Sequence, residues 1–125
     1  MERTFVLIAA LAGFLGVLLG AFGAHVLQNR LDPHSFGIFE VAVRYQMYHA
    51  LALLLVGLLA GRRPSAPLTW AGWLFTAGII IFSGSLYLLS FTGITMLGAI
   101  TPLGGLAFLA GWAMLALATW NHRTD

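Results

Sequence analysis

The sequence predicts an all-α polytopic membrane protein: a four-helix transmembrane bundle with both termini on the cytoplasmic side. Three observations carry this. Of 125 residues, 60% are hydrophobic and only 8% are charged, whereas soluble domains carry about 25% charged residues. Four apolar runs, at 5–27, 41–60, 68–91 and 96–120, reach the roughly 20 residues a helix needs to cross the hydrocarbon core. Short, breaker-rich connections separate them. No run shows the period-2 alternation of a barrel strand. Backbone polar groups in hydrocarbon must pair internally, so each run is read as a helix. The whole chain, 1–125, is read as one membrane domain.

The first run follows Arg3. It is longer than the roughly 7–15 apolar residues of a signal-peptide core, so it is expected to stay as a span. Within "GFLGVLLGAFGAH" (13–25), Gly13, Gly16, Gly20 and Gly23 fall in an arc of about 80° on an ideal helix. Such a stripe lets two backbones approach closely where lipid provides no hydrophobic drive. Packing against a neighbouring span is the expectation, and a homo-oligomer contact through Gly16 and Gly20 is the alternative. His25 projects roughly 120–160° away from that stripe.

In the connection 28–40, Asp32-Pro33 reads as a helix N-cap followed by proline at the first helical position. An interfacial start of the second helix near residue 33 follows. The second run, "VRYQMYHALALLLVGLLAG" (43–61), carries polar groups in its first half. Tyr45 and His49 share one helical face. Arg44 and Tyr48 share another, with Glu40 four residues before Arg44. With the span counted from residue 41, His49 is expected roughly 9–12 Å below its outer end.

The turn "GRRPSAP" (61–67) leads into the third run, which bears Ser83 and Ser85. A tight uncharged turn, "TGIT" (92–95), leads into the fourth. There Gly98, Thr101 and Gly105 share one face, and Gly104, Ala107 and Gly111 line an adjacent one. These are expected to be packing positions, with Pro102 nearby. Arg3, Arg62, Arg63 and Arg123 lie on one side of such a chain, and Arg30 and Arg44 on the other, which puts both termini inside.

Several chemistries are excluded or unsupported. The chain has no cysteine, hence no disulfide, zinc–thiolate or iron–sulfur site. Its net charge is +2, with no basic patch interleaved with aromatics, so no nucleic-acid partner is expected. No acid stands near a Ser/His pair at matching depth, so no enzyme is expected. His25 and His49 lack a third ligand at their depth, so no metal site is expected. His34 and His122 have no evident partners. Trp70, Trp73, Trp112, Trp120, Tyr87 and Phe91 are read as interface anchors and packing groups. The candidate ligand-binding set is His49, Tyr45, Arg44, Tyr48, His25, Ser83, Ser85 and Thr101, gathered in the outer half of the bundle. Ionisable groups inside a membrane usually face the bundle interior or a wet cavity.

Four motifs, "GAFGAH" (20–25), "YQMYHALALLL" (45–55), "FSGSLYLL" (82–89) and "ITPLGG" (100–105), occur in this order. In them the chain resembles the YgdD/YwdK-like family of small four-span bacterial membrane proteins, itself similar to a small eukaryotic transmembrane protein family. The resemblance implies an integral protein of the bacterial plasma (inner) membrane. Its motif positions fall on Gly20, Gly23, His25, Tyr45, His49, Ser83, Ser85, Tyr87, Thr101, Pro102 and Gly104. It brings no reaction with it. The expected function is a non-enzymatic module that binds a lipid-like ligand or partner protein through the outer polar cluster. The alternatives are an oligomeric small-molecule or ion transporter, and an electron carrier with haem between His25 and His49. Apart from that haem, no cofactor is expected. Membrane lipids are the expected partners.

Overall fold

The computed structural model describes residues 1–122, and the Arg123 counted above lies outside them. Four long helices run Glu2–His25, Pro33–Arg62, Ala66–Thr92 and Leu97–His122, here the first to fourth spans. No strand occurs among the described residues. Each span is long and apolar enough to cross a bilayer. Successive spans alternate in direction, so the two termini share one end of the bundle. The connections 26–32 and 93–96 mark the other, called distal below.

The second span starts eight residues before the run at 41–60. Its 30 residues extend about 45 Å at 1.5 Å per residue, against a hydrocarbon core of about 30 Å. The extra length lies at the distal end. Asp32 is the reason the helix can begin there. Its Oδ2 accepts from the Ser35 backbone N–H at 3.1 Å, and Pro33 takes the first helical position. The Ser35 side chain and then its backbone N–H hold the Asp32 carboxyl below the ordinary 3.8. A depressed folded value means that this cap contributes fully above about 3.8 and fades as pH falls through the folded value. Asp32→Ala is therefore expected to speed hydrogen exchange at the first-turn amides near neutral pH. Lowering the pH below 3 is expected to bring the wild type toward the variant. Equal exchange in the two proteins at pH 7 would refute the cap.

The first and second spans pack antiparallel in a fixed register. Gly16 lies against Met47, Gly20 against Val43 and Gly23 against Phe39, while Gly57 and Gly61 of the second span receive Val6 and Glu2. Gly13 departs from the expected stripe: nothing lies within 4 Å of where its Cβ would be. Its counterpart in this register is Ala50, and two small residues facing each other leave a gap.

The third and fourth spans interlock through phenylalanines seated on glycines. Phe108 sits over Gly78, Phe75 over Gly111, and the Phe82 backbone against Gly104. Gly104 needs its missing side chain most, because a Cβ there would meet backbone at 2.7 Å. Gly98 and Gly105, also expected to pack, make only ordinary contact or none that is close, at 3.8 and 4.0 Å. The packing face is thus the one bearing Gly104 and Gly111. Residues 79–83 of the third span form a π-helical segment, which sequence periodicity does not announce. The third span closes at Gly93, whose φ of 72° suits a residue without a Cβ.

The apolar core, including Phe5, Leu53, Val56, Leu68 and Phe75, fills the half nearer the termini. Large apolar side chains such as Leu7, Phe14, Leu51, Ile80, Leu103 and Leu109 point outward on the spans. In water they would form an aggregating surface; against acyl chains they meet a matching solvent.

Candidate functional site

Polar side chains in the spans fall into three arrangements, which touch where the Tyr45 and Tyr48 rings lie 5.6 Å apart. The first is a set of interhelix hydrogen bonds. Gln46, 4% exposed, donates from Nε2 to the Ala12 carbonyl at 2.8 Å and accepts the Tyr87 hydroxyl at 2.6 Å. One amide thereby joins three spans. Ser83 Oγ donates to the Ala42 carbonyl at 2.8 Å. Ser85 and Thr101 hydroxyls meet at 2.6 Å across the third and fourth spans. These groups bond one another, and no buried side-chain polar atom among the described residues lacks a partner.

The second arrangement surrounds His49, which is 5% exposed. Its Nδ1 lies 2.8 Å from the Tyr45 carbonyl, and Trp112 Nε1 lies 3.1 Å from its Nε2. Indole N–H only donates and a carbonyl only accepts. The two contacts therefore define the neutral tautomer with its proton on Nδ1. Phe108 stacks on the imidazole with ring centroids 3.5 Å apart, and Phe75 lies at 5.6 Å. Because the helix begins at Pro33, His49 sits about 24 Å from its start. Counted from residue 41, where the apolar run begins, it lies about 12 Å along the span, and the eight residues before that point account for the rest.

The third arrangement is a groove along the seam of the first and second spans. At its distal part, about 310 Å³, Gly20, Gly23 and Ala24 form one wall and Phe36, Phe39, Val43 and Met47 the other. Glu40, Arg44 and Tyr48, all exposed, also line it. Beyond Met47 the same seam opens into an apolar trough of about 640 Å³ that includes Gly13, Ala10, Val17, Ala50 and Leu51. The unfilled Gly13 position thus widens the trough.

The eight candidate residues do not form one cluster. His49 and Tyr45 join the aromatic group, with Tyr45 also 4.8 Å from Phe82 between ring centroids. Ser83, Ser85 and Thr101 are spent on helix–helix bonds. Arg44 and Tyr48 line the groove. His25 is exposed at the distal end of the first span. In the antiparallel register His25 lies about 16 Å along the axis from the level of His49, so the two histidines share no site. The His49 Nε2 lone pair already faces Trp112. Trp112 and Tyr87, read as interface anchors and packing groups, each turn a polar atom inward. Gln46 was missed. Its signal was present in the spacing Phe39, Ala42, Gln46, His49, Leu53, a buried face stepping by three or four residues.

Comparison with known proteins gives a consistent placement. A family model described as a protein of unknown function, DUF423, matches residues 19–105. A UPF0382 membrane protein of Staphylococcus aureus is 50% identical over 119 residues, covering 95% of this chain and 97% of its own. A UPF0382 membrane protein of Staphylococcus haemolyticus is 48% identical over the same shares. The UPF0382 membrane protein YwdK of Bacillus subtilis is 47% identical, covering 93% and 95%. No solved structure matches the chain. With four membrane-spanning helices and these relatives, the chain belongs to the DUF423 family of small, YwdK-like membrane proteins.

Proposed function

We propose that this protein is a non-enzymatic membrane module that holds an amphipathic lipid in the groove between its first and second spans. The observation that carries this is the order of groups along one seam. Charged and phenolic side chains line its distal part, and an apolar trough continues below them. That is the profile of a lipid, polar at the interface and apolar beneath. Arg44 lies about 16 Å into a helix that overreaches the hydrocarbon core by roughly 15 Å, which sets it close to the headgroup boundary. The filled core at the other half of the bundle favours a binding module over a transporting conduit.

The arginine distribution supports a bacterial plasma-membrane protein with both termini in the cytoplasm. Arg3, Arg62 and Arg63 sit at the terminal end, and Arg30 at the distal end. Arg44 is on the helix itself, so it weighs less in that comparison. The groove then opens to the outer leaflet.

Native mass spectrometry of protein extracted in lipid nanodiscs tests the reading. Arg44→Ala is expected to lower the co-purifying phospholipid about tenfold, the effect of one charge-assisted hydrogen bond. Arg30→Ala, in the loop, is expected to leave it unchanged. Equal lipid occupancy in wild type and Arg44→Ala would remove the groove as the binding site.

A further inference from the structure

Building on that reading, we infer that the groove selects a zwitterionic phospholipid whose headgroup carries a primary ammonium. Three of the side chains that line the groove follow the second span in the order Glu40, Arg44, Tyr48. Each is one turn further from the distal end, a step of about 6 Å. Glu40 four residues before Arg44 is the favourable order for an intrahelical ion pair. Yet among the described residues no ion pair joins them. Both side chains are exposed, so both charges stay open to the groove at the membrane boundary.

A zwitterionic headgroup would satisfy both at once. Its phosphate would accept from the Arg44 guanidinium, a charge-assisted contact. Its ammonium lies on the water side of the phosphate, which is where Glu40 stands relative to Arg44. Three N–H groups could donate to the Glu40 carboxylate. Tyr48, one turn deeper, sits at the level of the glycerol esters. The trough lined by Gly13, Ala50 and Leu51 takes acyl chain. An anionic phospholipid with a glycerol headgroup would satisfy Arg44 but bring no positive charge to Glu40, whose carboxylate would meet only neutral hydroxyls. A quaternary ammonium offers Glu40 no N–H. The charge order along the seam thus specifies both the sign and the donor chemistry of the headgroup.

The test titrates the full-length protein in detergent with phosphatidylethanolamine, phosphatidylcholine and phosphatidylglycerol of matched acyl chains, read by native mass spectrometry. Wild type is expected to prefer the ethanolamine lipid about tenfold over each of the others. Glu40→Gln is expected to bring the three within about twofold while still binding, and Glu40→Lys to favour the glycerol lipid. Equal wild-type affinity for ethanolamine and glycerol lipids overturns the selectivity, and so does a preference that survives in both Glu40 variants. Equal affinity for ethanolamine and choline lipids overturns donation to Glu40. Loss of the preference in these variants with binding intact separates the selectivity from the groove itself. Absence of any lipid binding by wild type would instead remove the lipid-binding reading on which it rests.

Discussion

Gly104→Val is expected to destabilise the bundle by about 3 kcal/mol, at the upper end of the cost of overpacking a filled interface. A Cβ at position 104 would meet the Cα of Phe82 at 2.7 Å. Backbone cannot rotate aside as the end of a side chain can, so the third and fourth spans must separate. Separation also unseats Phe108 from Gly78 and Phe75 from Gly111, and parts the Ser85–Thr101 hydroxyl pair. The neighbouring residue supplies the control. At Gly105, half-buried, the nearest atom to an added Cβ is a Phe82 ring carbon at 4.0 Å, so Gly105→Val is expected to cost less than about 1 kcal/mol. Mixed-micelle unfolding followed by tryptophan fluorescence reads both. Equal midpoints for the two variants would show that the close approach at Phe82 carries no weight.

His49→Ala is the second large effect, about 3 kcal/mol. It removes a ring stacked on Phe108 and leaves a cavity, and it strips the Trp112 N–H of its acceptor. His49→Phe keeps the stacking surface and loses the two ring hydrogen bonds, from the Trp112 N–H and to the Tyr45 carbonyl, so about 1–2 kcal/mol is expected. A double-mutant cycle of His49→Phe with Trp112→Phe isolates the hydrogen bond. Measured interhelical bonds in a bilayer couple by about 0.6 kcal/mol on average and up to about 1.7, and a value in that range is expected. A cycle that closes to zero would mean that the two groups do not interact in the folded bundle. Lipid occupancy is a separate readout. His49→Ala in a still-folded fraction should keep its co-purifying lipid, whereas Arg44→Ala should lose it. That contrast distinguishes the aromatic group, which holds three spans together, from the groove, which faces ligand.

The spans were legible in the sequence because length and hydropathy act locally. Twenty apolar residues cannot leave their backbone unpaired in hydrocarbon whatever their neighbours do. The Asp32 cap was legible for the same reason, since its partner, Ser35, is three residues away. The glycine stripe was readable as a packing surface at Gly16, Gly20 and Gly23, which meet the second span. It failed at Gly13 because the residue across the seam, Ala50, is itself small, and one helix does not reveal what faces it. The helix start near residue 33 was legible with the cap, and the helix runs from there through 33–40 into the apolar run without a break.

The candidate site was less legible, for a related reason. A helical wheel groups residues of one span, but a site is made by residues of several. Gln46 looks like a lone amide in an apolar run until Ala12 and Tyr87 are placed around it. Phe108 and Trp112 look like lipid-facing bulk until the fourth span is set against His49. The π-helical turn at 79–83 has no composition of its own, yet it faces Gly104 through the Phe82 backbone.

By itself the sequence determined that the chain lives in a membrane, crosses it with four helices and starts the second at Asp32-Pro33. Those outcomes depend on segment length, apolar content and hydrogen bonds within a few residues. Only the tertiary structure decided that the polar residues divide into interhelix bonds, an aromatic group and an open groove. That division depends on which faces of separate helices meet and in what register. Close contacts a few ångströms long set that register, and they join residues dozens of positions apart.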